Sequence, residues 1–119
     1  MTDMFSFFSS VFGRKGCADR ITAGELLAML EGKEKITLID VRTPAEFKGG
    51  HIPESVSVPL DTLASARVDA PGRVVVCCAS GMRSLSGREI LESKGFRDVV
   101  DLKGGLKAWA KEGGRIVRG

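Results

Sequence analysis

The sequence predicts one α/β domain whose sheet is largely parallel. Short runs of aliphatic and β-branched residues, clearest at 36–41 and 73–77, alternate with segments in which apolar residues recur at helical spacing. Apolar runs of strand length without polar alternation are typical of strands covered by helices on both faces. A chain of 119 residues with 43% hydrophobic and 28% charged residues has the length and composition of one globular domain. A two-domain enzyme with a cleft between its domains is therefore not expected.

The first two predicted helices begin at capping boxes, in which a Thr hydroxyl and a Glu carboxylate three residues later accept hydrogen bonds from each other's backbone N–H groups. The two pairs are Thr22 with Glu25 and Thr43 with Glu46. We predict a first helix from about 23 to 31, closed by Gly32, and a second from Pro44 to about Lys48. The apolar strand 36–41 between them is expected to be a central strand.

The remaining elements follow in the same alternating order. Predicted strands lie at 55–58, 73–77 and 98–102, and predicted helices lie at about 60–66, at about 83–94 and from 104 onward. Residues 116–117 are compatible with one more short strand. An alternation of strands and helices indicates a parallel sheet, in which ligands bind beyond the carboxyl ends of the strands.

Residues 1–19 are predicted to be an N-terminal leader outside the domain, which we place at 20–119. The segment 4–12 is rich in Phe, but its nine residues fall far short of the roughly 20 that span a bilayer. No Lys or Arg precedes it, as a signal peptide would require. A short interfacial or partner-docking helix is one interpretation. We favour the other, a frayed leader that packs loosely on the domain.

The charged residues and the cysteines indicate which partners the protein binds and in which cellular compartment it resides. The net charge of +3 comes from scattered basic residues, without the basic and aromatic clustering of a nucleic-acid groove. The three cysteines, Cys17, Cys77 and Cys78, are too few for a disulfide framework and fit a reducing cytoplasm. With one histidine, they also lack the paired ligands of a structural zinc site. We expect a cytoplasmic protein that binds no nucleic acid and no metal.

The strongest candidate site follows the strand 73–77. Cys78 comes directly after this strand and opens a loop of small residues before the next helix, where parallel α/β sheets bind ligands. Backbone N–H groups in such a loop and at a helix start stabilise a thiolate, the reactive form of cysteine. The predicted site consists of Cys78 as nucleophile and the loop residues Ala79, Ser80, Gly81, Met82, Arg83 and Ser84. Arg83 adds a fixed positive charge, and the two serine hydroxyls can bind an oxyanion.

Each residue of the vicinal cysteine pair has two interpretations. Most free cysteines are small buried apolar residues, but the small-residue loop and its arginine together favour a reactive thiol at Cys78. Cys77 continues the strand, so its side chain points to the opposite face, and a structural role is favoured. A vicinal disulfide or a resolving thiol is the alternative for Cys77.

These residues resemble the signatures of the single-domain rhodanese-like sulfurtransferases. The resemblance runs from Arg20 to Gly119 and rests on four motifs in order. The motifs are Ile39-Asp40-Val41-Arg42 with Glu46-Phe47, His51-Ile52-Pro53, Val76-Cys77-Cys78 through Ser84, and Lys103-Gly104-Gly105 with Trp109. Any one of them is weak, whereas all of them in this order are highly specific.

The resemblance implies a five-stranded, mainly parallel sheet with helices on both faces and a persulfide carried on Cys78. It implies transfer of a sulfane sulfur from a donor, such as thiosulfate or a low-molecular-weight persulfide, to cyanide or a thiol. A protein sulfur acceptor is a further possible partner. Neither a cofactor nor a metal is implied, and we expect a monomer.

The chain departs from the family pattern at two loop positions. Ala79 stands where thiosulfate-using members often have Arg, so one charge that attracts a dianion is missing. Met82 replaces a polar residue and adds an apolar lip, which favours a protein or low-molecular-weight persulfide. Thiosulfate is therefore predicted to be a poor donor.

Two other functions compete with sulfur transfer. Cysteine-dependent phosphatases also close a thiolate loop with Arg, but their loops are one residue longer than the four residues between Cys78 and Arg83. A non-catalytic binding module of the same fold typically loses the nucleophile, which this chain keeps. A persulfide carrier dedicated to one partner would have the same sequence features.

Asp40, Arg42 and His51 are expected to support the site structurally. Asp40 and Arg42 end a strand and should hydrogen-bond the backbone of neighbouring loops, and contact with substrate is the alternative. A general base at His51 is disfavoured, because transfer by a preformed thiolate does not need one. Structural roles are also predicted for Glu46 in its capping box, Trp109 in the core, and Gly104-Gly105 in a tight turn.

Overall fold

A computed structural model of the protein describes residues 20–119, so the predicted leader at 1–19 lies outside the described residues. The strands are β1 (Arg20–Ile21), β2 (Ile36–Asp40), β3 (Val56–Ser57), β4 (Arg73–Cys77) and β5 (Val99–Leu102). The helices are α1 (Ala23–Glu31), α2 (Pro44–Gly49), α3 (Leu60–Leu63), α4 (Arg83–Ser93) and α5 (Gly105–Lys111). The predicted alternation of strands and helices is confirmed.

The five strands form one sheet in the order β1-β5-β4-β2-β3. Every neighbouring pair is parallel. The strand β4 lies in the middle, between β2 and β5, and all five of its residues are buried. A parallel sheet exposes neither face to water, which explains the unbroken apolar run that predicted this strand.

Helices cover the sheet on both faces because successive strand side chains point in opposite directions. One core packs α1 and α5 on the sheet, around Leu26, Val75, Cys77, Val100 and Trp109. The other packs α3 and α4, around Ile39, Leu63, Val76, Cys78 and Leu91. The predicted α/β class with helices on both faces is confirmed, and Trp109 is a core residue as expected.

Both predicted capping boxes are present. Thr22 Oγ1 accepts the Glu25 N–H at 3.1 Å, and the Glu25 carboxylate accepts the Thr22 N–H at 2.8 Å. Thr43 and Glu46 form the equivalent pair at 3.2 and 3.0 Å. These local signals explain why the starts of α1 and α2 were predictable from sequence.

The structure confirms that α1 ends at Glu31 and is closed by Gly32, which has φ −78°, and the next residue, Lys33, is left-handed with φ 59°. Elsewhere the chain differs from prediction. Residues 116–117 contribute one antiparallel bridge, from Val117 to His51, in place of a strand. The strand β1 was not predicted, because two residues are too few for a periodic pattern and the strand forms only by pairing with β5. Among residues 20–119, no helix has the length and apolar character to cross a membrane.

Candidate active site

Cys78 lies at the carboxyl end of the central strand β4. Its side chain is 1% exposed and belongs to the core that packs α3 and α4 on the sheet. The Cys77 side chain belongs to the core on the other face, as the alternation of strand side chains requires. The two thiols are free. The sheet therefore separates them, and one of them faces the loop that leads into α4.

Two backbone N–H groups converge on the Cys78 sulfur. Gly81 N lies 3.1 Å from Sγ, and Ser84 N lies 3.2 Å from it. Ser84 is the second residue of α4, so one donor comes from the start of an 11-residue helix and adds its positive end. Gly81 has φ +97°, which favours glycine. These donors stabilise negative charge at Sγ, whether on a thiolate or on a sulfur bound to it.

The start of α5 holds the backbone of the same loop. Leu106 N donates to Cys78 O at 2.8 Å, and Lys107 N donates to Ala79 O at 3.1 Å. The close approach depends on Gly105, because a Cβ there would lie 2.4 Å from Cys78 O. Gly104 and Gly105 have φ +78° and +60°, so the predicted tight turn is present. The turn at Gly104-Gly105 thus holds the backbone of the Cys78 loop in place.

Gly105→Ala is expected to destabilise the fold by about 2 kcal/mol or more, because it combines a left-handed alanine with overpacking against the loop. Urea unfolding measures this loss. The matched control is Gly113→Ala, because Gly113 has φ +86° and open space around its Cβ direction. The control should lose only the backbone term of about 1 kcal/mol. Equal losses in both variants would show that the contact with the loop is unimportant.

Arg83, the cation of the loop, is paired with Glu46. Arg83 Nη1 lies 2.9 Å from Glu46 Oε1, and Nη2 lies 3.0 Å from Oε2. This bidentate pair, with help from the Thr43 N–H, lowers the pKa of Glu46 from 4.5 to about 2, and it raises the pKa of Arg83. A lowered pKa means that the pair stabilises the folded state above pH 4.5 and that this contribution disappears as the pH falls through about 2. Glu46 therefore does more than close its capping box.

Sequence reasoning missed Asp101, a buried carboxylate behind the loop. Asp101 is 0% exposed and accepts hydrogen bonds from Arg20 Nε at 2.9 Å, Arg88 Nε at 3.0 Å and Ser84 Oγ at 3.4 Å. Arg20 also donates to Gly81 O at 2.9 Å. Asp101 thus anchors the two residues whose N–H groups contact Cys78. A carboxylate inside the apolar strand 98–102 was the available signal, because a buried charge needs partners.

The three predicted supporting residues are buried and hydrogen-bonded. Arg42 binds Asp40 through several contacts, the shortest at 2.7 Å, and it donates to Gly50 O at 2.7 Å. The Asp40 hydrogen bond raises the pKa of Arg42. His51 Nδ1 lies 2.8 Å from Phe47 O, and the two rings stack at 3.7 Å. These contacts connect β2 and α2 to the bridge between His51 and Val117.

The other loop side chains differ in exposure. Met82 is 72% exposed, Ser80 is exposed, and Ala79 is half-buried.

Burial and nearby Asp40 raise the pKa of the Cys77 thiol well above 9.0, so Cys77 stays protonated. Within residues 20–119, no three His, Cys, Asp or Glu side chains gather as a metal site would require.

The fold and the loop define a class of parallel α/β domains in which the sulfur of a cysteine after the central strand accepts hydrogen bonds from backbone N–H groups. The family model described as the rhodanese-like domain matches residues 22–112 of the sequence. The chain belongs to this family, and the predicted resemblance is confirmed.

Individual relatives agree with this membership. The chain is 35% identical over 101 residues to a sulfurtransferase of Allochromatium vinosum, covering 83% of this chain and 94% of that protein. It is 31% identical to the thiosulfate sulfurtransferase GlpE of Pseudoalteromonas translucida, covering 75% of this chain and 86% of that protein. A crystal structure of a rhodanese-related protein from Thermoplasma volcanium matches with a TM-score of 0.74 and 31% identity, covering 82% of this chain and 96% of that chain. Some other relatives are longer, and the chain spans 52% or 24% of their length. Relatives with these names support a role in the sulfurtransferase family.

Proposed function

We propose that the protein is a sulfurtransferase that carries a sulfane sulfur as a persulfide on Cys78. One observation carries this proposal: Gly81 N and Ser84 N lie within 3.2 Å of the Cys78 sulfur. Donors in this position stabilise the negative charge of the thiolate before the reaction and of the persulfide after it. The sulfurtransferases among the relatives support the same chemistry.

The first half-reaction loads the enzyme. The Cys78 thiolate attacks the outer sulfur of thiosulfate, a new S–S bond forms, and the bond between the two thiosulfate sulfurs breaks. Sulfite leaves with the bonding electron pair, and Cys78 becomes a persulfide anion. Charge and atoms balance without an external oxidant. The step starts from the thiolate form, which the two N–H donors favour, so the attack itself needs no general base, and the His51 ring is already engaged with Phe47.

The second half-reaction unloads the enzyme. A nucleophile such as cyanide or a thiolate attacks the outer sulfur of the persulfide, and the electron pair of the broken S–S bond returns to Cys78. The products are thiocyanate or a new persulfide, together with the original thiolate. Each half-reaction releases a product before the next substrate binds, so ping-pong kinetics follow.

The donor is thiosulfate or a low-molecular-weight persulfide, and the acceptor is cyanide, a small thiol or a thiol of a partner protein. Ala79 contributes no charge to the loop, and Arg83 is already engaged by Glu46. Both features weaken the attraction for a dianion. The exposed Met82 gives the rim of the Cys78 loop an apolar contact for a larger partner.

Free thiols at Cys77 and Cys78 suit the reducing cytoplasm, where we place the protein.

Phosphatase activity is less well supported. A phosphate dianion needs a free arginine at the closing position of the loop, and Arg83 gives both of its terminal nitrogens to Glu46. The loop is also one residue shorter than a phosphatase loop. A purely non-catalytic module does not account for the preserved thiol and its two donors.

Intact mass before and after incubation with thiosulfate tests the proposal. We expect a gain of one sulfur atom, its loss on addition of cyanide, and one thiocyanate formed per sulfur lost. If thiosulfate is a poor donor, glutathione persulfide should load the protein instead. A protein that gains no sulfur from either donor would contradict the proposal, and phosphate release from p-nitrophenyl phosphate would support the phosphatase alternative.

A further inference from the structure

We infer that Glu46 sets the charge selectivity of the Cys78 site by holding Arg83 in an ion pair, so that the site discriminates against dianionic sulfur donors in favour of donors with less charge. The inference rests on the proposed sulfur transfer. It assigns to Glu46 a role beyond its capping box, and it concerns binding of the donor before the thiolate attacks.

Both terminal nitrogens of Arg83 are engaged by one carboxylate. Nη1 and Nη2 donate to Oε1 and Oε2 of the same carboxylate, at 2.9 and 3.0 Å. Glu46 is itself held in place, because Oε1 also accepts the Thr43 N–H at 3.0 Å. A sulfonate-type group of a donor can form the same bidentate contact with Arg83 only by displacing a carboxylate that its own helix start orients.

The electrostatics of the loop lead to the same conclusion. Arg83 is the only Lys or Arg in the segment 78–84. With Glu46 beside it, the pair has no net charge, while the Cys78 thiolate is negative. The side chains of Arg83 and Glu46 are both about one-third exposed, so donors can reach them from solvent. An incoming anion therefore meets the negative thiolate without a net positive charge from the side chains of the segment 78–84 to offset it, and the repulsion grows with the charge of the anion.

Glu46→Gln tests the inference, because glutamine preserves the capping box and removes only the charge. The donors are thiosulfate, a dianion, and methanethiosulfonate, a monoanion that presents the same kind of outer sulfur. Coulomb energy is proportional to the product of charges, so the fold-change in KM for the monoanion is the square root of that for the dianion. We expect KM to fall about tenfold for thiosulfate and about threefold for methanethiosulfonate, with little change in kcat.

Glu25→Gln is the matched control. Glu25 occupies the same position in the capping box of α1, with Thr22 as its partner, and α1 packs on the opposite face of the sheet from Cys78. Its KM values for both donors should equal those of the wild type. A selectivity change in this control would mean that loss of an acidic residue anywhere produces the effect.

The salt dependence of the wild-type protein provides a second test that needs no variant. With Arg83 neutralised by Glu46, KM for thiosulfate should not rise as salt is added, whereas in Glu46→Gln it should rise because a free cation is screened. A rising wild-type KM, or equal fold-changes for the two donors in the variant, would overturn the inference. If the wild type takes up sulfur from neither donor, the proposed sulfur transfer itself fails, and this result is distinct from an unchanged selectivity in an active enzyme.

Discussion

Cys78→Ser is expected to abolish sulfur transfer, with a loss of about a thousandfold or more in kcat/KM. A serine hydroxyl is a far weaker nucleophile than a thiolate, and it cannot form the S–S bond that stores the sulfur. Stopped assays of thiocyanate formation measure the rate, and intact mass shows whether a sulfur atom is retained. The variant should show neither the product nor the added mass.

Cys77→Ser is the control for this prediction, because the neighbouring thiol faces the opposite core. Burial keeps Cys77 protonated through its raised pKa, so it supplies no nucleophile. Most of the activity should remain, although a buried hydroxyl costs about 1–3 kcal/mol of stability. Cys77→Ala removes the polar group if the serine variant unfolds. Loss of the persulfide in a folded Cys77 variant, with its retention in Cys78→Ser, would reverse the assignment of the nucleophile.

Asp101→Ala is expected to have the second largest effect. The substitution leaves Arg88 and Arg20 without their buried carboxylate and removes the acceptor for the Ser84 hydroxyl. Breaking one side of a buried ion-pair network costs about 3–5 kcal/mol. Urea unfolding should show this loss at neutral pH. The folded fraction should also load sulfur more slowly, because Ser84 loses its hydrogen-bond acceptor and Arg20, which donates to Gly81 O, loses the carboxylate that positions it.

Asp98→Ala is a suitable control for the stability measurement. Asp98 lies three residues earlier, also pairs with an arginine through a 3.0 Å contact to Arg73, and its side chain is 51% exposed. The Asp98 carboxylate is half solvated, although the Arg73 side chain is only 9% exposed, so this variant should lose less stability than Asp101→Ala, whose carboxylate is fully buried. If the two variants lost equal stability, Asp101 would not be the anchor that its contacts indicate.

Most elements were predictable from local patterns. The strands β2 and β4 are apolar runs whose neighbours in the sheet bury them on both faces, and α1 and α2 begin at capping boxes that need only residues three apart. The edge strand β1 was not predictable. It consists of two residues and gains its hydrogen bonds from β5, some 80 positions away.

The position of Cys78 followed from sequence because the strand, the loop and the next helix are contiguous. The residues that form hydrogen bonds with its loop could not be predicted from sequence. Glu46 is 37 residues from Arg83, and Arg20 is 61 residues from Gly81. Glu46 was assigned to its capping box alone, since a local role already explained it.

The sequence by itself determined the α/β class, the order of most elements and the candidate nucleophile at the end of β4, because these depend on periodicity and on residues close together in the chain. Only the tertiary structure decided that Glu46 forms an ion pair with Arg83. It also decided that Asp101 holds the loop in place through hydrogen bonds with Arg20 and Ser84. The physical reason is the strand order, which places β5 between β1 and β4 and β2 beside β4, and so gathers charges from distant parts of the chain at one end of the sheet. Ion pairs between such charges leave no periodic signal in sequence, yet they control the charge and the shape of the site.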